Sequence, residues 1–139
     1  MKTVEDILMA KGSEVIVAAP TDTVLEAARL MAEARVGSVV IRQDDRACHG
    51  VAPASRVVGL FTERDLLYRV VAAGKDPAAT RLADVMSSPV QTCRLGDELA
   101  ECARRMSAGK IRHLVVVEQD ALVGLVSLRD ILLGGPGKP

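Results

Sequence analysis

The sequence repeats itself, and the repetition limits the fold more than any other feature does. Asp22–Ile41 laid over Asp97–Val116, an offset of 75 residues, gives six identities in 20 positions: Asp22/Asp97, Glu26/Glu101, Ala28/Ala103, Arg29/Arg104, Met31/Met106 and Val40/Val115. Val57–Tyr68 laid over Leu122–Leu133, an offset of 65, gives six identities in 12, among them Gly59/Gly124, Arg64/Arg129 and Asp65/Asp130. The offset falls by ten, so the first copy carries about ten extra residues, and these lie within Arg42–Arg56. A chain with such a period builds one supersecondary unit twice, and each unit needs a neighbour to cover its apolar face.

Both copies read as the same order of elements. A short helix opens each, over Val4–Met9 and Arg81–Met86, followed by an extended segment around Glu14–Ala18 and Val90–Cys93. An amphipathic helix comes next. Val24, Ala27, Ala28, Met31 and Ala34 share one face in the first copy, and Leu99, Cys102, Ala103 and Met106 repeat it in the second. Asp22 or Thr23, and Asp97, are the expected N-caps. Apolar strands follow at Ser38–Arg42 and Arg56–Phe61, then at His113–Glu118 and Ala121–Val126, the second pair joined by a tight turn at Gln119-Asp120. A last helix starts at Thr62 or Ser127. The unit is β-α-β-β-α, an α/β (α+β) arrangement, and two units are expected to pack face to face about a pseudo-two-fold axis. The expected division is residues 1–75 with an inserted hairpin loop over 42–56, residues 76–133, and a flexible tail over 134–139.

Composition narrows the function classes. The 139 residues include 18 basic and 18 acidic side chains, and aromatics make up 1%. Nucleic-acid binders gain affinity from a basic excess and from base stacking, so neither a DNA nor an RNA partner is expected. Three cysteines without a C-x-x-C pair fit a reducing, cytoplasmic setting. No apolar run reaches the ~18 residues that span a membrane, and none is expected to. The sequence contains no G-x-S-x-G, H-E-x-x-H or P-loop pattern and only two histidines, His49 and His113, so no enzyme is expected.

Candidate chemistry sits in GLFTERD, Gly59–Asp65, and GLVSLRD, Gly124–Asp130. A hydroxyl three residues before an acid is a capping box, and alone it says little more than that. Here it recurs at the end of an apolar strand in both copies, at the strand-to-helix corner where sheets of this class meet ligands. The glycines permit close approach to the backbone. The helix N-terminus offers N–H groups and a positive dipole end to a phosphate. Asp65 and Asp130 can each accept two hydrogen bonds from a cis-diol, as ribose recognition requires.

Two β-α-β-β-α repeats, each ending in G-apolar-apolar-[ST]-x-x-D, resemble a tandem pair of CBS (cystathionine β-synthase) domains, a Bateman module, over Val4 to Leu133. The resemblance implies a regulatory module that holds an adenosine-containing ligand between its repeats: AMP, ADP, ATP, S-adenosylmethionine or NAD. No cofactor is implied beyond that nucleotide. It further implies a homodimer and action on a separate effector protein. Thr62 with Asp65 and Ser127 with Asp130 match the family's ribose pair, and the backbone near Ile16 and Gln91 matches its adenine-reading segment. Arg112 and His113 fill the phosphate-facing positions of the second copy, where the first has Gly37 and Ser38; Arg64 and Arg129 are further candidates for phosphate. The Asp130 corner is therefore the expected site for a charged nucleotide.

Against these stand plainer readings. Cys48-His49 lacks the spacing of a zinc site. Cys102 lies on an apolar helix face, and nothing visible lowers the pKa of Cys93. The alternative for the whole chain is a structural or protein-interaction module whose clefts are empty or degenerate.

Overall fold

The computed structural model describes residues 2–43 and 56–133, in a mixed α+β architecture with two three-stranded sheets. The inserted segment between Gln43 and Arg56 and the tail from 134 lie outside the described residues. In order, the elements are α1 (Val4–Lys11), β1 (Val17–Ala18), α2 (Val24–Ala34), β2 (Ser38–Arg42), β3 (Val57–Thr62) and α3 (Glu63–Asp65). Helix α3 runs on into a π-helical stretch, Leu66–Val71. Then come α4 (Leu82–Val85), β4 (Thr92–Cys93), α5 (Leu99–Gly109), β5 (His113–Glu118), β6 (Ala121–Ser127) and α6 (Leu128–Leu132). No helix among these is long and apolar enough to cross a membrane.

The two sheets follow one plan. Strand β1 runs parallel to β2, and β2 pairs antiparallel with β3; β4, β5 and β6 repeat this. Each antiparallel pair breaks register at the same place, between Ile41 and Arg42 in one sheet and between Val116 and Val117 in the other. Gln119 and Asp120 both adopt left-handed φ, of 48° and 63°, which the two-residue turn between right-twisted strands requires.

The compact units are not the sequence copies. One holds residues 15–43 with 56–90, and the other holds 2–14 with 91–133. Each opening helix has crossed over: α1 packs on β6 and α4 packs on β3. A division at residues 75 and 76 therefore describes the repeat in sequence, while in space each copy lends its first helix to the other's sheet. Backbone hydrogen bonding secures the exchange. The Val4 and Glu5 N–H groups donate to the Asp97 and Leu95 carbonyls, and Leu99 N–H donates back to Lys2. In the other unit Val24 N–H donates to Thr80 and Leu82 N–H to Asp22. Helix starts leave N–H groups without intrahelical partners, so two starts set against each other satisfy both.

This pairing changes one expected cap. Thr23 caps α2 and exchanges hydrogen bonds with Glu26, but α5 takes Glu98 as its N-cap, without a side-chain bond. Asp97 instead accepts from Arg94 N–H at 2.9 Å, as Asp22 accepts from Ala19 N–H at 2.9 Å. Both aspartates close the turn before the helix.

The cores are mostly aliphatic, as the composition requires, with Phe61 as an aromatic member of one. Val24, Met31, Val39, Ile41, Phe61, Val70 and Leu82 fill one, and Val4, Ile7, Met106, Leu114, Val116 and Val126 fill the other. Cys93 and Cys102 are both buried in the second core, and burial, followed by the neighbouring Cys102, pushes the Cys93 thiol up to about 12. Both cysteines are packing residues rather than nucleophiles.

Candidate functional site

The end of β6 builds the corner around Asp130. Ser127 closes the strand and caps α6: its Oγ accepts from Asp130 N–H at 3.1 Å, and its own N–H donates to Asp130 Oδ2 at 2.8 Å. His113, half-buried at the start of β5, stands opposite Ser127 in register, and Leu128 N–H donates to the Arg112 carbonyl at 2.8 Å. The sheet thus brings Ser127, Asp130, Arg112 and His113 to one corner, with Arg112 and Arg129 exposed. Gln91 lies on the far side of β5, where its carbonyl accepts from Val115 N–H at 3.0 Å. Strands two apart are separated by roughly 10 Å, a distance a nucleoside spans.

One partner comes from far away in the sequence. Lys11, the last residue of α1, places Nζ 2.8 Å from Asp130 Oδ2. Burial works to raise the Asp130 pKa, but the Lys11 and Ser127 hydrogen bonds and the Lys11 charge outweigh it, and the carboxyl ends below its ordinary value. Both the Lys11 and the Ser127 N–H contacts fall on Oδ2, so Oδ1 takes neither.

The corner at Thr62 has the same cap and a different content. Thr62 Oγ1 accepts from Asp65 N–H at 3.2 Å, and Thr62 N–H donates to Asp65 Oδ2 at 3.0 Å. Here, however, Oδ1 is also engaged: Ser87 Oγ donates to it at 2.9 Å, and Arg69 Nε lies 3.6 Å away. The Asp65 side chain is only 7% exposed, against 20% for that of Asp130. Arg69 also donates to the Met86 carbonyl at 2.9 Å, just past the end of α4. This carboxylate fastens the exchanged helix α4 to its sheet. Arg64 lies 5.3 Å from the centre of the Tyr68 ring, stacked along its own helix. Ile16 gives its carbonyl to Val40 N–H at 2.9 Å, the counterpart of the Gln91 contact.

Charge separates the corners further. Where one has Arg112, the other has Gly37, and a Cβ added at Gly37 would collide with the Glu63 carboxylate. Where one has Leu128, the other has Glu63 itself. An acid thus lies beside Gly37, the position that Arg112 fills at the other corner.

Two expectations about the backbone change. The glycines admit helices rather than a ligand: a Cβ on Gly124 would lie 2.8 Å from Leu8 Cδ1, and one on Gly59 would lie 2.5 Å from Met86 Sδ and 3.0 Å from the Ser87 carbonyl. The N–H groups at the start of α6 are also largely used, Leu128 by Arg112 O and Asp130 by Ser127 Oγ. The start of α6 therefore has few N–H groups left to offer an anion. Lys11, Ser87 and Arg69 escaped the sequence reading because no local pattern joins them to the aspartates; Glu63 was visible as the one acid by which TERD differs from SLRD. Among the described residues no group of three His, Cys, Asp or Glu converges as metal ligands would, and Cys48 and His49 lie outside them.

Comparison with known proteins bears on the fold. The family model for the CBS domain matches twice, over residues 4–72 and 82–134. An uncharacterized protein of Methanopyrus kandleri is 38% identical over 120 residues, covering 86% of this chain and 57% of that protein, so the chain spans little more than half of that relative. The structure of a putative signal-transduction protein with CBS domains from Burkholderia ambifaria superposes with a TM-score of 0.83 at 30% identity, covering 94% of this chain and 91% of that one. A CBS domain protein from Pyrobaculum aerophilum, complexed with AMP, superposes with a TM-score of 0.76 at 31% identity, covering 93% and 89%.

Proposed function

The chain belongs to the CBS-domain family, as a tandem pair of CBS domains, and on that premise we propose that it is a regulatory module binding one adenosine-containing ligand per chain at the Asp130 corner. The observation that carries this reading is the contrast between the two aspartates. Asp130 is part-exposed, ionised and flanked by the exposed Arg112 and Arg129, whereas Asp65 is buried with both oxygens engaged and Glu63 beside it. The Asp130 carboxylate accepts the ribose diol, Ser127 holds it in place, the backbone at Gln91 meets the adenine edge, and the arginines meet phosphate. AMP in the Pyrobaculum aerophilum relative supports the ligand class. Binding carries no catalytic step; it alters the surface offered to a separate effector protein.

Pairing with a second copy belongs to the same reading. Leu67 and Val71, one turn apart on the π-helical stretch, are 52% and 60% exposed, and Tyr68 beside them is 59% exposed. Light scattering that finds only monomer at micromolar concentration would remove the pairing and leave the ligand reading intact.

A thermal-shift screen over AMP, ADP, ATP, S-adenosylmethionine and NAD tests the function. A ligand at 100 times its Kd stabilises the native state by about 2.7 kcal/mol, roughly 8 °C for a chain of this size. No shift with any of them would favour the module that binds protein partners alone.

A further inference from the structure

Among the described residues, the Thr62 corner has no cation brought to its aspartate from a distant element, as Lys11 is brought to Asp130. There the buried carboxylate is held by a neutral hydroxyl, that of the half-buried Ser87, and by the exposed Arg69 from its own helix. Here it is held across 119 residues of sequence by a lysine that is itself 40% exposed. Helix α4 ends at Val85, whereas α1 runs on to Lys11, and this added length is what delivers the ammonium. A diol needs acceptor positions on the carboxylate, and Lys11 already occupies one of them on Oδ2. An ammonium has three donors, and its flexible four-carbon stem lets the head move while the stem stays packed.

We propose that Lys11 is a specificity-determining residue of the Asp130 site: it competes with the ligand's diol for Oδ2 and, once displaced, donates to an anionic group of the same ligand. A neutral nucleoside displaces the ammonium and gives it nothing in return. A phosphorylated nucleoside displaces it and supplies a new partner. Lys11 thus widens the preference for the phosphorylated ligand beyond what Arg112 and Arg129 provide. The inference rests on the reading of Asp130 as the ribose acceptor.

Isothermal titration of AMP and of adenosine into the wild type, Lys11→Met and Lys11→Arg tests both layers separately. Lys11→Met should weaken AMP about 10-fold, the loss of one charge-assisted hydrogen bond, while adenosine binds as well as before or better. Lys11→Arg should keep the AMP-to-adenosine ratio within about threefold of the wild type. Equal weakening of both ligands in Lys11→Met would mean that Lys11 only orients Asp130 and would overturn the inference; so would unchanged AMP binding. If the wild type binds neither ligand, the ribose reading fails and this inference fails with it. Binding that depends on Asp130 but ignores Lys11 overturns the inference alone.

Discussion

At Asp130, burial and pairing pull in opposite directions, and pairing wins. A carboxyl whose folded pKa is depressed contributes stability that is complete above its unfolded pKa, about 3.9, and is lost as pH falls through the lower folded value. Lys11→Met should therefore leave stability near pH 7 changed by less than about 1 kcal/mol, as for most partly exposed ion pairs. Its acid unfolding should begin at higher pH than that of the wild type, which circular dichroism across pH 2–5 would detect. Asp65 behaves differently because it is buried and holds Ser87 and Arg69. Asp65→Asn keeps the shape and removes the charge, and should cost about 2 kcal/mol in denaturant unfolding, the worth of a hydrogen bond to a charged group. A loss below about 0.5 kcal/mol would contradict the role of Asp65 as a fastening.

Among the elements, the exchanged opening helices set the energetics. Gly59 and Gly124 look alike in sequence but face different obstacles. Alanine at Gly124 meets the tip of Leu8, which can shift, while alanine at Gly59 meets Met86 and the Ser87 carbonyl, itself bonded to Leu60 N–H at 2.9 Å. Gly59→Ala should cost roughly 2–3 kcal/mol and Gly124→Ala roughly 1 kcal/mol, since overpacking costs most where backbone must move; equal losses in urea unfolding would contradict this account. The strands and the second amphipathic helices were legible in the sequence because their period and repeat are local: Ser38–Arg42 and His113–Glu118 match expectation residue for residue. The helix exchange was not legible. Val4, Ile7 and Leu8 announce an apolar face without saying whose sheet it covers, and nothing near Asp97 shows that the Lys2 carbonyl satisfies the start of α5.

For the whole molecule, the two copies share a scaffold and divide its uses. The sequence already marked the inequality through Arg112 and His113 against Gly37 and Ser38. It left the stronger cause unseen, because burial of Asp65 and its hold on Ser87 depend on α4 being docked. One corner is packed into the fold, and the proposed ligand belongs to the other, where Asp130 is part-exposed. Isothermal titration of AMP into the wild type, Asp130→Ala and Asp65→Asn, all at the same pH and salt, tests this division most directly. The account predicts one site per chain, an affinity about 10- to 150-fold weaker in Asp130→Ala, and an affinity within about twofold of the wild type in Asp65→Asn. Two sites per chain, or a loss in Asp65→Asn that matches the loss in Asp130→Ala, would contradict it.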